Sequence, residues 1–173
     1  MKKLNIGCGP NKLKGYLNLD HNPNYHPDIL WDLESCPYPC SDNYFDKVYA
    51  SHVLEHVTDF WTTFREVLRI TKVGGIIHIR VPHFSEGMGH NDLTHRWEFG
   101  WYTFQQILDN YGFKYGVTNF KIVKQKFNYL SVNHPFINLC MGVVLSLIPK
   151  GIYEKGLCWI IPRHEIELWL MKT

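Results

Sequence analysis

The chain has 173 residues, of which 45% are hydrophobic and 15% are aromatic, and its formal net charge is +2. This length and composition predict one globular domain whose core needs no disulfide or metal to hold it together. The weak charge balance argues neither for nor against nucleic acid as a partner, but the lack of a basic tract disfavours it. No apolar run reaches about 18 residues, which argues against an ordinary membrane-spanning helix.

The sequence contains five cysteines, an odd number, and its first residues do not resemble a secretory signal. We therefore expect reduced thiols and a cytoplasmic location. Cys36 and Cys40 are separated by two prolines and are not followed by a second cysteine pair. This arrangement makes them weak candidates for a zinc site.

Short apolar runs bounded by turn-forming residues predict the strands of the first half of the chain. These runs cover residues 3–6, 16–19, 28–33 and 45–50. A helix capped by Thr58 or Asp59 should follow and continue through Ile70, since its apolar residues recur at helical spacing. The pair Gly74-Gly75 is the predicted stop of that helix.

The second half of the chain continues the alternation of strands and helices. We expect a strand at 76–81, a helix at 103–110 that stops at Gly112, and strands at 120–127 and 165–171. Alternating strands and helices predict an α/β fold with a mostly parallel sheet covered on both faces. Ligands of such sheets bind at the carboxyl ends of the strands, so the residues directly after each strand are the candidate site.

The first strand ends in the turn Gly7-Cys8-Gly9. Glycine lets a backbone approach a ligand closely, but a single G-x-G is a weak signal. The third glycine of the dinucleotide fingerprint is absent, because Lys12 occupies its position. The loop also lacks the lysine and hydroxyl residues of a P-loop, so it is not built for a pyrophosphate.

Carboxylates lie at the carboxyl ends of the next two predicted strands. Asp20 could accept hydrogen bonds from both hydroxyls of a ribose, or it could only cap a turn. Asp32 could accept a hydrogen bond from an adenine amino group, while the backbone N–H of Leu33 donates to a ring nitrogen.

Five segments together resemble the class I S-adenosylmethionine-dependent methyltransferases of the type 11 branch. The segments are LNIGCGP (4–10), LNLD (17–20), DLE (32–34), YFDKVYASHVLEHV (44–57) and GGIIHIRVPH (74–83). They occur in the order that the family uses, over roughly the first 105 residues. The resemblance implies S-adenosylmethionine as the cofactor and a Rossmann-like, mostly parallel sheet with helices on both faces and an antiparallel C-terminal strand.

The resemblance also implies a set of cofactor contacts. The methionine part of the cofactor would lie against the glycine loop. The ribose and the adenine would contact acids at the ends of the second and third strands, and the sulfonium would lie near the end of the fourth strand. The implied residues are Gly7, Cys8, Gly9, Asp20, Asp32, Leu33, Ser51 and His52. Glu55 and His56, which come next, would either order the entry to the following helix or contact the substrate.

One segment departs from the family pattern. Only residues 11–15 lie between Pro10 and Tyr16, so the first crossover has no room for a full helix. Either an open loop replaces that helix, or the second strand is misplaced. If the crossover is shortened, other residues must close the cofactor pocket. The shortened crossover also favours an alternative function, a non-catalytic S-adenosylmethionine-binding or interaction module that keeps the fold.

A histidine-rich loop follows the strand at 76–81. Methyl transfer to a hydroxyl or amine needs a group that takes the proton, and imidazole suits that role near neutral pH. The candidate bases are His83, His90 and His95. With Asp92 the same histidines could ligate a metal or order the rim of the site, but their spacing is not a standard one, and we assign no metal ligand from the sequence.

The acceptor and the C-terminal third are less constrained. The aromatic residues Trp97, Phe99, Trp101 and Tyr102 could stack on a small-molecule acceptor such as a sugar or glycan precursor, or pack under the loop. An apolar helical insert is expected at about 134–162. Its apolar residues, within 136–161, fit a lid, a homodimer surface or a peripheral membrane contact.

Overall fold

The computed structural model describes residues 1–87, 89–128, 136, 139–140, 142–143 and 147–173. Over these residues seven strands form one sheet with the order β3-β2-β1-β4-β5-β7-β6. The strands are β1 (Lys3–Ile6), β2 (Leu17–Asp20), β3 (Ile29–Leu30), β4 (Phe45–Ser51), β5 (Thr71–Pro82), β6 (Phe120–Asn128) and β7 (Glu165–Lys172). The first five pair in parallel, and β7 is antiparallel to β5 and β6. The predicted fold class is confirmed.

Helix α1 (Phe60–Ile70) begins at Asp59, whose carboxylate accepts a hydrogen bond from the backbone N–H of Thr62. Of the two predicted caps, Asp59 is therefore the one used. The predicted stop at Gly74-Gly75 is wrong, because α1 ends at Ile70 and passes directly into β5. Both glycines lie within β5, where the pairing with β4 is irregular and Gly74 has a φ of +76°.

A second helical region has three parts, α2 (Thr103–Gln106), a π-helical turn (Ile107–Tyr111) and α3 (Gly112–Tyr115). The predicted stop at Gly112 is wrong, because this residue keeps helical dihedral angles. Gly116 ends the region instead in the left-handed conformation, with a φ of +69°. Further along the chain, α4 (Lys150–Lys155) precedes a short 3-10 turn at Leu157–Trp159.

One face of the sheet is apolar and carries the core. Phe64 of α1 is fully buried against this face, and its ring contacts those of Phe60, Phe104 and Phe120 at centroid distances of 5.3 to 5.8 Å. The sheet contributes alternate residues of the central strands, namely Leu4, Ile6, Val48, Ala50, Ile77, Ile79, Val81, Ile166, Leu168 and Leu170. Helix α1 and the region 103–115 therefore cover the same side of the sheet.

The opposite face is polar. Tyr49, His78 and Trp169 are register neighbours on β4, β5 and β7, and the rings of His78 and Trp169 stack at 4.5 Å. His78 Nε2 lies 2.7 Å from a carboxylate oxygen of Glu167, and Arg80 Nη2 lies 2.7 Å from one of Glu165. Ion pairs and stacked rings take the place of an apolar surface on this side.

The first crossover runs over the polar face as an open loop, and residues 7–16 contain no helix. Asn18 of β2 is buried and holds this loop, because its Oδ1 accepts from Leu13 N at 2.8 Å and its Nδ2 donates to Tyr16 O at 3.1 Å. The amide of Asn5 on β1 donates both to Asn18 Oδ1 and to Asn11 O. Of the two alternatives left open by the sequence, the open loop is correct.

The structure describes only some of the residues in the C-terminal third of the chain. Residues 134–135, 137–138, 141 and 144–146 of the predicted insert lie outside the described residues. In α4 the side chain of Tyr153 is buried, and its hydroxyl donates to Ile161 O. Among the described residues, no helix combines the length and apolar character needed to cross a membrane. The lid, homodimer and peripheral membrane contacts within 136–161 stay predictions.

Candidate functional site

The glycine loop after β1 lies in direct contact with the segment after β4. Gly7 has a φ of +59°, and a Cβ at this position would lie 2.2 Å from Val53 Cγ2. Only glycine therefore allows this conformation and this approach. Gly9 has a φ of +50°, and a Cβ there would meet nothing within 4 Å. Cys8, between them, is buried, and burial raises the pKa of its thiol.

Asp20 ties the glycine loop to the end of β2. Its Oδ2 accepts a hydrogen bond from Gly9 N at 2.8 Å, and its Oδ1 accepts one from Asn22 N at 2.9 Å. The predicted turn-capping role is thus present in the structure. Each carboxylate oxygen can accept a second hydrogen bond, so capping leaves acceptor capacity for a ligand.

Asp32 and Leu33 follow β3 and differ in exposure. Asp32 is exposed, and its Oδ1 accepts from Glu34 N at 3.0 Å in a local turn. The Leu33 side chain is buried, and its carbonyl accepts from the Tyr38 hydroxyl at 3.2 Å. Strand β3 ends at Leu30, earlier than the predicted boundary at residue 33, so both residues lie in the loop beyond it.

His52 follows Ser51, the last residue of β4, and adopts a φ of +50°, which is unusual for a residue other than glycine. Its Nε2 lies 2.9 Å from Glu165 Oε2, and its Nδ1 lies 3.4 Å from Glu55 Oε1. Burial acts to lower the pKa of His52, but the two carboxylates outweigh it and raise the pKa to about 9. His52 is therefore a cation near neutral pH, placed between two buried acids.

Glu165 was missed by the sequence interpretation, although it organises this part of the site. It is fully buried and accepts hydrogen bonds from Arg80 Nη2 at 2.7 Å and from the Asn128 amide at 2.5 Å. Burial would raise the pKa of Glu165, but bonds from His52, Arg80 and Asn128 lower it to about 2. The available signal was that the acids Glu165 and Glu167 alternate with apolar residues at the start of the predicted strand.

The three candidate bases have different surroundings. His83 is 1% exposed, its Nδ1 lies 2.8 Å from Ser85 Oγ, and its Nε2 lies 3.3 Å from Glu154 Oε1 on α4. Glu154 also accepts a hydrogen bond from the backbone N–H of Trp101. His83 would have to give up one of these bonds to accept a proton from a substrate, so its position favours holding the loop against α4.

All three histidines line a cavity of about 560 Å³ formed by the loop, together with Asp92 and Trp97, and His90 and His95 are less buried than His83. His90 is exposed, and its Nε2 donates to the Phe84 carbonyl at 3.0 Å. This bond leaves the lone pair on Nδ1. His95 is partly buried, with its ring 4.7 Å from that of His56.

The histidine loop is fastened to the segment that packs on Gly7. The backbone N–H of Arg96 donates to Glu55 O at 2.7 Å, and the indole of Trp97 donates to Val57 O at 2.6 Å. The structure therefore connects the glycine loop, the residues after β4 and the histidine loop through adjoining contacts at one edge of the sheet.

The four aromatic residues near the loop mostly pack inside the protein. Phe99 is buried. The ring centroid of Trp97 lies 5.7 Å from that of Phe60, and the ring centroid of Trp101 lies 4.6 Å from that of Phe127. Tyr102 is exposed. Packing under the loop is the better description for three of them, and Trp97 also reaches the histidine-loop cavity.

Comparison with protein families shows that residues 21–79, about a third of the chain, match the family described as methyltransferase domain, type 11. The resemblance inferred from the motifs is confirmed. Comparison with curated proteins finds no match for the sequence.

Solved structures of two methyltransferases and of a cyclase share the fold over 99–100% of the chain. An S-adenosylmethionine-dependent methyltransferase from Archaeoglobus fulgidus has a TM-score of 0.64 and 18% identity, with 99% of this chain and 86% of that one covered. Phosphoethanolamine N-methyltransferase 2 from Haemonchus contortus, in complex with S-adenosyl-L-methionine, has a TM-score of 0.59 and 15% identity, with 100% and 49% covered. The [4+2]-cyclase SpnF has a TM-score of 0.61 and 17% identity, with 99% and 75% covered.

Proposed function

We propose that this chain, which combines the class I methyltransferase fold with a type 11 methyltransferase-domain segment, is an enzyme that transfers a methyl group from S-adenosylmethionine to a small-molecule acceptor. The observation that carries the proposal is the contact between Gly7 and Val53. It holds the backbone of the glycine loop against the residues that follow β4. At the carboxyl edge of a parallel sheet, this is where such a fold binds its ligand.

The residues present fit S-adenosylmethionine. The space beside Gly9 leaves the loop backbone accessible to the amino-acid part of the cofactor. Asp20 would accept hydrogen bonds from the ribose hydroxyls with the lone pairs that Gly9 and Asn22 leave free. Asp32 and the Leu33 backbone would meet the adenine. Ser51 and His52 would lie nearest the sulfonium, which supplies the methyl group.

His90 and His95 are the proposed proton acceptors. They line the loop cavity, whose wall residues Arg96 and Trp97 are hydrogen-bonded to the segment 51–57, and we propose that an acceptor approaches the cofactor from this cavity. A hydroxyl or amine acceptor loses a proton during methyl transfer, and a neutral imidazole can take it. We propose that His83 positions this loop through Glu154. Trp97 at the cavity wall is compatible with a sugar or glycan precursor as the acceptor.

Calorimetry with S-adenosylmethionine and with its demethylated product tests the cofactor step. The wild-type protein should bind both, and Gly7→Ala should weaken binding by at least about tenfold, since the new Cβ would displace Val53. Gly74→Ala is the matched control, because Gly74 also has a positive φ but lies in β5 away from the loop. Failure of the wild type to bind either compound would overturn the proposal and favour the non-catalytic module.

The general base is tested by turnover. Formation of demethylated cofactor would be measured with a panel of sugars and other small hydroxyl and amine compounds. We expect His90→Ala or His95→Ala to lower kcat by about 100-fold or more with cofactor affinity unchanged. Near wild-type rates in both variants would exclude His90 and His95 as the base, and near wild-type rates in His83→Ala as well would exclude a loop histidine altogether.

The second candidate, a module that does not transfer methyl groups, is favoured by the open first crossover. A structural relative with a similar TM-score is described as a [4+2]-cyclase, so the fold does not by itself fix the reaction. Cofactor binding without turnover on any acceptor would support this candidate. A cytoplasmic location remains part of the proposal.

A further inference from the structure

The carboxylate of Glu55 is buried and is only partly compensated by the neighbouring His52. Its side chain is fully buried, and neither Oε1 nor Oε2 has a hydrogen-bond partner among the described residues. Burying a carboxylate without compensating bonds costs several kcal/mol, so such groups are paired with a positive charge or coordinate a metal. The His52 cation lies 3.4 Å from Oε1 but is shared with Glu165, and neither oxygen of Glu55 accepts a hydrogen bond from a described residue.

Two imidazoles lie beside this carboxylate. Glu55, His56 and His95 each offer one ligand atom, and these atoms all lie within 4.8 Å of one another. Glu55 and His56 come from the segment after β4, and His95 comes from the histidine loop. The backbone bonds from Arg96 and Trp97 to Glu55 O hold the two segments together, so the cluster is fixed by the main chain.

A chain of hydrogen bonds orients His56. The Thr94 hydroxyl donates to Asp92 Oδ1 at 2.6 Å, so its oxygen accepts a hydrogen bond from Nδ1 of His56 at 2.8 Å. This assignment places the proton on Nδ1 and leaves the lone pair on Nε2. Metal-binding histidines are commonly held in this way by a partner on the other ring nitrogen.

We propose that Glu55, His56 and His95 form a binding site for a divalent transition-metal ion such as Zn²⁺, Fe²⁺ or Co²⁺. Two imidazoles and one carboxylate are the donor set these ions take in sites that keep positions open for water or substrate. Ligand atoms around such an ion lie about 3.3 Å apart, so the cluster must contract by side-chain rotation. His95 also lines the 560 Å³ cavity, which places the open positions toward that space.

The role of the ion rests on the proposed function, although its binding does not. An imidazole that ligates the ion has no free lone pair, so with the ion bound His95 is a ligand and His90 is the proton acceptor. An acceptor hydroxyl in the cavity would coordinate the ion, lose its proton more readily and be oriented for methyl transfer. The substrate class is therefore a hydroxyl compound, including a vicinal diol. The sequence alone had grouped His95 with His83, His90 and Asp92, because Glu55 and His56 are about 40 residues earlier in the chain.

The test is a titration of chelator-treated protein with Co²⁺ alone, followed by visible absorption and calorimetry. We expect one equivalent to bind, without the thiolate charge-transfer bands that would reveal the cysteines as ligands. His95→Ala and His56→Ala should each weaken binding by at least about tenfold. His90→Ala, a loop histidine outside the cluster, should retain affinity within about twofold.

Glu55→Gln removes the charge while keeping the shape, but this variant could fail to fold because the site is buried. His95 is only partly buried, so its variant keeps the test independent of folding. No Co²⁺ binding by the wild type, or equal binding by wild type and His95→Ala, would overturn the site. If Co²⁺ binds as expected and S-adenosylmethionine does not, the methyltransferase proposal fails and the metal site stands.

Discussion

The two faces of the sheet are stabilised in different ways. On one face α1 and the helical region 103–115 cover alternate apolar residues, and aromatic rings such as Phe64 fill the space between them. On the other face the first crossover is an open loop held by Asn5 and Asn18, and β5 and β7 are joined by ion pairs. The fold can therefore omit a crossover helix where side-chain amides satisfy the loop backbone.

This contrast bears on the site, because both faces contribute to it. The apolar face carries α1, whose preceding segment 51–57 anchors the histidine loop. The polar face supplies Glu165 and Arg80, which hold His52. Substitutions made on one face at a time should therefore distinguish destabilisation of the core from disruption of the site.

The largest effect should come from the apolar face. Phe64→Ala removes a fully buried ring that contacts three other aromatic rings. We expect the free energy of unfolding to fall by about 3–5 kcal/mol, measured by urea denaturation. Phe113→Ala makes the same chemical change at a ring that is 95% exposed, and it should cost less than about 0.5 kcal/mol. Similar losses in both variants would contradict this description of the core.

The next effect should come from the amide that holds the crossover. Asn18→Leu keeps the volume but leaves the backbone of Leu13 and Tyr16 without these partners, so we expect a loss of about 2–3 kcal/mol. Hydrogen exchange of residues 8–16 should quicken more than that of α1. Asn24→Leu, at an exposed position in the following loop, is the control. Unchanged exchange in Asn18→Leu would show that the loop does not depend on this side chain.

The third effect is a pH dependence centred on His52 and Glu165. The pKa of His52 is raised to about 9, so its contribution to stability is complete below its ordinary value of about 6.5 and is lost as pH rises through 9. The pKa of Glu165 is lowered to about 2, so its contribution is present above its ordinary value and is lost as pH falls toward 2. Stability should be greatest between these two limits.

Melting temperatures measured from pH 3 to pH 10 would check this profile. His52→Gln should flatten the alkaline side of the curve and weaken the acid side only in part, because Arg80 and Asn128 still lower the pKa of Glu165. We expect a smaller effect than for Asn18, because the His52 side chain is 38% exposed and water screens the pair. His21→Gln, at a side chain that is 77% exposed, should leave the curve unchanged. An alkaline loss that persists in His52→Gln would assign it to another group.

The strands and the helix of the apolar face could be predicted from the sequence, whereas the side-chain contacts of the polar face could not. Strands β1, β4 and β5 and helix α1 follow from local apolar periodicity, which depends on residues close in the chain. The hydrogen bond between Asn5 and Asn18 depends on the register between β1 and β2. Glu165 contacts His52, which lies 113 residues earlier in the chain. Such contacts are set by the fold, so no local pattern predicts them.

The same reasoning explains the misplaced helix stops. Glycine at 74 and at 112 indicated a break, but Gly74 serves an irregular pairing in β5, and Gly112 continues a helix that a π turn has lengthened. In the site, the glycine loop and the acid at the end of β2 were predictable because each is a motif. The cluster of Glu55 and His56 with His95 was not, because it needs two segments to meet.

The smallest effect we predict concerns the start of the helix that covers the apolar face. The Asp59 carboxylate accepts from Thr62 N at 3.1 Å and from the Thr62 hydroxyl at 2.6 Å. Asp59→Ala should therefore lower the free energy of unfolding by about 1 kcal/mol, measured by urea denaturation. Thr58→Ala tests the other cap that the sequence allowed, and it should change stability by less than about 0.5 kcal/mol. An equal or larger loss in Thr58→Ala would move the start of α1 by one residue. That shift would change the backbone direction of the segment 51–57, which leads into the helix and carries Glu55 and His56.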